Sequence, residues 1–328
     1  MYTFSRRGLL YVAAGSTATL ALAACSSGAP PTAPPATGSA GSSSSAGGDR
    51  QMSQDAYDAI IKGGPVADAA TVSANPWATK IKNQGFIKRG GTTTAAIFSI
   101  KDPTTGRIVG FDAGIGDLLA HYITGGTDVS KLTQVAQTSV DTRETMLQNN
   151  TVDIVVATYS ITTARAQKVA FAGPYYASGD SIQVKSDNTT IKSVTDLQGK
   201  KLVTESNSTA ITAIEKFVPG NTPTLFADND SCVAAVQQGR ADAYVLDEAI
   251  LLGNAVKNPD LKVVGTPFTT DPYGVGVNKD DPAAKAFVNA FLQKIFDSGD
   301  WLKLWKATVG LYVEAVPTPP KIGSVQGS

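Results

Sequence analysis

Apolar and polar positions follow one another along this chain in blocks that predict alternating strands and helices. From Asp153 to Ser160 a mostly apolar run reads as a buried strand. It passes into the polar turn Ser160-Ile161-Thr162-Thr163-Ala164-Arg165 and then a second apolar run, Phe171 to Tyr176. The stretch Met146 to Val156 has a counterpart in Ala235 to Val245. Each is an apolar helix end, an Asn or Gly suited to a left-handed cap, one Asp and then a strand, so one unit is used twice. Alternation from Thr92 to Tyr176 predicts one α/β lobe and Ile182 to about Thr266 a second. Tyr273-Gly274-Val275-Gly276-Val277 then returns to the first lobe, which helices over Pro282 to Phe296 and Asp300 to Lys306 complete. Two strand-like connections, around Gly179 to Val184 and Thr270 to Gly274, join the lobes as a hinge, each with a glycine that can absorb backbone change.

The polar chemistry collects at strand ends. In an α/β protein the crevice lies outside the carboxyl ends of the strands. The first copy of the repeated unit delivers Thr158 and Ser160 to that place, the turn adds Arg165, and the second copy delivers Asp247. An arginine fork grips a carboxylate through two parallel charge-assisted hydrogen bonds. Hydroxyls and a guanidinium facing a carboxylate suit a zwitterion, its α-carboxylate on Arg165 and Ser160 and its α-ammonium on Asp247. The alternative for Arg165 is a solvated arginine on a helix's first turn. Ser206-Asn207-Ser208-Thr209, before Ala210 to Ile214, marks a helix N-terminus that serves either an anion or ordinary capping.

Composition narrows the class. A chain of 328 residues with 42% hydrophobic content can bury one or two substantial cores, and this length usually means about two domains. Equal numbers of basic and acidic residues, 28 each, and 7% aromatics argue against a nucleic-acid groove, which needs a basic face with stacking rings. Of two cysteines, Cys232 is expected as a small buried side chain at the start of a helix. The sole histidine, His121, lies in the amphipathic pattern Leu118 to Ile123. One histidine and one free cysteine make neither an activated thiol nor a three-ligand metal site, and no cofactor is called for.

The start of the chain concerns address. Ser5-Arg6-Arg7, an apolar stretch and Leu22-Ala23-Ala24-Cys25 resemble an export signal ending in a bacterial lipobox, and the arginine pair also resembles a twin-arginine signal. That implies cleavage before Cys25, a lipid on its sulfur, and an anchor on the outer face of the cytoplasmic membrane. Residues from Ser26 to about Arg50, rich in Ser, Gly, Ala, Pro and Thr, predict a flexible tether. Gln51 to Lys62 is either a short helix, with Met52, Tyr57, Ile60 and Ile61 on one face, or more tether. The expected division is signal 1–25, tether and extension 26–75, first lobe 76–180 with 271–316, second lobe 181–270, and a tail 317–328.

Taken in order, a set of short stretches carries a family resemblance. They are Gly110-Phe111-Asp112, Arg143 with Leu147 and Val152-Asp153, Ser160-Ile161-Thr162 with Arg165, Phe171 to Tyr176, Asp196-Leu197-Gln198-Gly199-Lys200, Gly239-Arg240-Ala241-Asp242, Asp247 and Pro272 to Gly276. Over roughly residues 80 to 312 the chain resembles solute-binding protein family 3, the polar amino acid receptors that feed ABC importers, and is most similar to actinobacterial lipoproteins for glutamate or glutamine. The resemblance implies a periplasmic-binding-protein type II fold, two α/β lobes on a two-strand hinge, in a monomer without catalysis. It implies that Arg165, Ser160 and Thr158 take an L-amino acid on the first lobe, that Asp247, Ser208 and Thr209 close over it, and that an ABC permease recognises the closed shape.

Arg143 stands at the position that reaches the side-chain carboxylate in acidic-ligand binders, although its residue context also allows pairing with Asp141 or Glu144. Thr92 occupies a place where some acidic-substrate binders carry a second arginine and glutamine binders an aspartate. Ala95 and Val140 replace aromatics of glutamine binders. Phe98 is expected as an apolar wall over the ligand stem or as core. With Arg143 the only candidate charge for a distal group, glutamate ranks first, then glutamine or asparagine, with aspartate close behind. The alternatives are an amino acid sensor lipoprotein and a cyclohexadienyl dehydratase-like enzyme, for which Glu205 and Glu248 are the nearby acids.

Overall fold

Two five-stranded sheets, each with its own core, organise the computed structural model, which describes residues 52–313 and 316–328. The signal region with Cys25 and the tether to residue 51 lie outside the described residues. In the first sheet Ile87–Gly91 lies between Thr133–Gln137 and Ile154–Val155, parallel to both. Asp271–Val277 runs antiparallel between Ile154–Val155 and Ala170–Ser178. In the second, Leu202–Glu205 lies parallel to Thr224–Phe226 and Ala243–Asp247, while Asp180–Lys185 pairs antiparallel with Ala243–Asp247 and Leu261–Val264.

The repeated unit explains how both sheets are pinned. Asn150 and Gly239 both turn out of their helices with positive φ, 54° and 70°. Each following aspartate then accepts the backbone N–H at the start of the adjoining parallel strand. Asp153 Oδ2 takes Lys88 N at 2.8 Å, and Asp242 Oδ2 takes Lys201 N at 2.8 Å. The carboxylate thus satisfies a donor that would otherwise be left at the strand's edge.

The first core packs helix Phe111–Thr124 against helices Pro282–Asp297 and Asp300–Ala307, burying Phe111, Leu118, Phe291, Leu292 and Trp301. Helix Phe111–Thr124 is buried along nearly its whole length rather than amphipathic, and His121 Nδ1 is satisfied by Gly126 O at 2.8 Å. The second core gathers Ile182, Leu202, Ile214, Val236, Tyr244 and Leu251. Cys232 is buried there, inside helix Asn229–Gln237 rather than at its start.

One open choice is decided and one expectation is corrected. The choice left open for Gln51 to Lys62 falls to the helix: Gln54–Lys62 and, after it, Ala69–Ser73 are helices capped by the side chains of Ser53 and Asp68. Tyr57 and Ile61 enter the first core, and the Tyr57 hydroxyl donates to Asp117 at 2.8 Å, which holds this segment on the lobe. The strand from Asp153 to Ser160 is also shorter. Ladder pairing stops at Val155, Thr158 takes φ +43°, and only Ser160 pairs again, as a single bridge to Tyr273. Asp112 is the cause, since its Oδ2 captures the Thr158 N–H at 2.6 Å and draws the chain out of the sheet.

The lobes are joined where Ala170–Ser178 passes through Gly179 into Asp180–Lys185 and where the chain returns before Asp271. At Gly179 a Cβ would lie 2.2 Å from Thr269 O, so the two connections cross too closely for any side chain there. The segment after residue 316 folds back on the first lobe, with Gly323 N donating to Gly173 O at 2.8 Å.

Candidate functional site

Six parallel strands of the two sheets point their carboxyl ends at one crevice. Thr92 follows Ile87–Gly91, Gln137 ends Thr133–Gln137, Ala157 and Thr158 follow Ile154–Val155, Glu205 ends Leu202–Glu205, Ala227 follows Thr224–Phe226, and Asp247 ends Ala243–Asp247. All of these residues line a cavity of ≈ 110 Å³ between the lobes, together with Arg143, Ser160, Arg165, Ser208 and Thr209. Of the residues expected from sequence, Arg165, Ser160, Thr158, Asp247, Arg143, Ser208, Thr209 and Thr92 are therefore brought together, and so are Ala95 and Val140.

Phe98 is not. It is fully buried against Phe111, Tyr176 and Tyr273, a wall of the first core and not of the cavity. The Thr92 hydroxyl is engaged with Ser99 O at 3.3 Å, which turns its polar atom away from a distal role.

Neither cavity arginine belongs to an ion pair among the described residues. Arg165, on the helix Thr163–Ala166 capped by the Thr162 hydroxyl, is buried, donating Nη1 to Ser160 O at 2.9 Å and Nη2 to Asn207 O at 3.0 Å. That second bond crosses from one lobe to the other. Arg143 stacks on Tyr159, 3.9 Å from the ring centroid, and donates Nη1 to Ala157 O at 3.2 Å, while its Nε has no partner. The pairings considered for it from sequence do not form. Glu144 is taken by Lys168 at 2.8 Å, and Asp141 accepts from Ser206 Oγ and Asn207 Nδ2 of the other lobe. Burial, then repulsion from Arg165, pulls the Arg143 pKa down to about 10, so it remains a cation at neutral pH.

Asp247 opposes them. It is buried, its Oδ1 has no hydrogen-bond partner, and burial followed by the neighbouring Asp271 pushes its pKa up to about 7. The Tyr273 hydroxyl and both arginines work against that shift. A buried carboxylate short of one partner is a receptor for a cation that brings its own donors. Ser208 precedes helix Thr209–Phe217 without capping it, its hydroxyl donating instead to Glu205 O at 2.8 Å. Capping therefore does not explain this loop, and the first N–H groups of the helix are left for an anion.

Glu205, Asp228 and Asn229 also line the cavity; Glu205 was expected only as a nearby acid for the enzyme alternative, and Asp228 and Asn229 were not expected at the site. The rule that strand ends face the crevice would have found Glu205, one position before the Ser206 to Thr209 stretch. Asp228 and Asn229 sit past a three-residue edge strand, Thr224–Phe226, whose pattern is too short to read. Among the described residues no group of three or more His, Cys, Asp or Glu is placed to hold a metal ion, and no helix is long and apolar enough to cross a membrane.

The profile of the bacterial extracellular solute-binding proteins, family 3, matches residues 87–309. The chain belongs to that family. The ABC transporter glutamine-binding protein GlnH of Bacillus subtilis is 33% identical over 244 residues, 74% of this chain and 88% of the relative. The glutamate-binding protein GluB of Corynebacterium glutamicum is 35% identical over 175 residues, 51% of this chain and 59% of the relative. Among solved structures, the ancestral amino acid-binding protein AncCDT-1, described as a precursor of cyclohexadienyl dehydratase, superposes with a TM-score of 0.62 at 29% identity, over 72% of this chain and 99% of that one. The family 3 chain accordingly has the type II periplasmic-binding-protein fold, with its cavity between the lobes.

Proposed function

We propose that this family 3 protein captures a polar L-amino acid of the glutamate and glutamine class in the interlobe cavity and delivers it to an ABC importer. One observation carries the reading: in one small cavity two buried guanidinium groups without ion-pair partners face a buried carboxylate with a partnerless oxygen. Arg165 takes the α-carboxylate, with Ser160, Thr158 and the helix N-terminus at Ser208 and Thr209 in support. Asp247 takes the α-ammonium, and Arg143 meets the distal group. Arg143 alone ranks glutamate ahead of glutamine, asparagine and aspartate. The relatives named above, one glutamine-binding and one glutamate-binding, agree with the class.

Capture needs no chemistry or cofactor. Closure is favoured by as much as the ligand binds the closed form better than the open one, and a permease reads the closed shape. In this reading the protein is a monomer tethered through a lipid on Cys25 to the outer face of the cytoplasmic membrane. The same closed lobes would serve a sensor that reports to a membrane partner.

Isothermal titration against the twenty L-amino acids, with D-glutamate and a sugar as controls, tests the proposal. Heat from glutamate or its amides, absent in Arg165→Ala, is the expected result. Unchanged affinity in Arg165→Ala would remove the assignment of the carboxylate site, and turnover of a prephenate-like cyclic acid would replace capture with catalysis.

A further inference from the structure

The distal end of the cavity holds two charged groups, not one. Glu205 is buried on the cavity wall at the end of its strand, and its Oε1 accepts from the Tyr244 hydroxyl at 3.3 Å. Arg143 belongs to the other lobe. The two attract each other, yet no ion pair within 4.0 Å joins them, and both line the cavity, so one ligand group can meet both. Arg143 can only donate, whereas an ionised Glu205 can only accept. A primary amide brings an acceptor oxygen for the first and N–H donors for the second. A carboxylate satisfies Arg143 but sets like charge against Glu205 unless that group carries a proton, in which case it becomes a donor.

We propose that Glu205 determines specificity at the distal end, favouring a side-chain amide when ionised and admitting a side-chain carboxylate when protonated. This rests on the amino acid reading of the cavity and refines the ranking that Arg143 alone supports. The groups facing Glu205 set where the exchange occurs. They are Arg143 from helix Arg143–Gln148, Asp247 and Tyr244 from strand Ala243–Asp247, Asp228 from the turn before helix Asn229–Gln237, and Cys232 on that helix. Burial raises the Glu205 pKa to about 7, with Asp247 and Asp228 adding and Arg143 and Tyr244 opposing. Its charge therefore changes near neutrality.

The test is the affinity of the whole protein for L-glutamine and L-glutamate by titration calorimetry from pH 5.5 to 8.5, for the wild type and Glu205→Gln. Preference for glutamine over glutamate is expected to rise by about tenfold per pH unit above pH 7 in the wild type, one proton being taken up with the carboxylate ligand. In Glu205→Gln the preference should be flat, with glutamate bound more tightly at pH 8 than by the wild type. A preference independent of pH in the wild type overturns the proposal even where the variant does not fold, and so does an equal slope in a folded variant. Binding of neither amino acid removes the glutamate and glutamine reading of the cavity. Binding of both with a flat ratio removes only the role given to Glu205.

Discussion

Asp247 shows how much of this site is decided by a single side chain. Its backbone ends the central strand of the second sheet, and its carboxylate is buried with one oxygen that has no hydrogen-bond partner. In the proposed reading an arriving ammonium supplies the missing donor and a further positive charge. Asp247→Asn keeps the shape and removes the charge, and truncating one partner of a buried charge pair costs about 2–5 kcal/mol. The dissociation constant should accordingly rise by about 30-fold or more. Titration calorimetry with the preferred amino acid checks this, and a loss of under threefold would show that the ammonium is held elsewhere. Arg165 and Asp247 could be picked out from sequence as candidates because Asp247 ends an apolar run and Arg165 follows one across a short polar turn. Glu205 was named only as an acid for the enzyme alternative, because its strand ends in a polar stretch in which helix capping competes with ligand contact as an explanation. Phe98 failed for the opposite reason: an aromatic beside the first strand packs equally well into a core, and tertiary contacts with Phe111 and Tyr273 decide for the core.

At the scale of elements, the loop after Leu202–Glu205 acts as a clasp between the lobes. Asn207 holds φ +57°, an unusual conformation for a residue with a side chain, and in it spans two contacts to the first lobe. Its carbonyl accepts from Arg165 and its amide nitrogen donates to Asp141, which also receives Ser206. Asp141 does not line the small cavity, so its carboxylate acts on closure and not on the ligand. Asp141→Ala removes charge-assisted bonds that exist only with the lobes together, each worth about 1.5–3 kcal/mol before solvent exposure is discounted. Ligand release should speed up by about 5- to 30-fold, with the association rate little changed, as stopped-flow fluorescence would show. Equal release rates would mean that the clasp does not hold the closed state. The two-lobe division, the two crossings and the duplicated helix, turn and strand were legible in the sequence, since each rests on an apolar run bounded by turn residues, whereas short strands such as Thr224–Phe226 were not. The break at Thr158 was not, because it depends on Asp112, 46 positions away in the chain. The helix Gln54–Lys62 was left undecided, since its apolar positions define a helix only once the Asp117 carboxylate and the first core are present to receive them.

On the scale of the whole molecule, the two chain crossings bring a surplus of negative charge to the hinge. Asp180 lies opposite Asp247 in the antiparallel ladder, and the Thr269 hydroxyl lies between Asp180 and Asp271. Asp180 is wholly buried, and its Oδ1 lacks a partner. Like charges this close in a dry site cannot all ionise without cost. Burial, then Asp247 and Asp271, raises the Asp180 pKa to about 9, against about 3.9 for an unfolded aspartate. The native state therefore holds this proton more tightly than the unfolded chain does. The stability it contributes is complete below the unfolded value and is lost as the pH rises toward about 9. The unliganded protein should melt several degrees lower at pH 8.5 than at pH 6, at about 2–4 °C per kcal/mol for a chain of this size. Asp180→Asn keeps the hydrogen-bonding volume without the titration, so its melting temperature should exceed that of the wild type at pH 8.5 and fall less between the two values. Differential scanning calorimetry of both proteins without ligand decides it. An identical slope in Asp180→Asn would place the titrating group elsewhere and leave the hinge carboxylates ionised at no cost, which their burial and missing partners argue against.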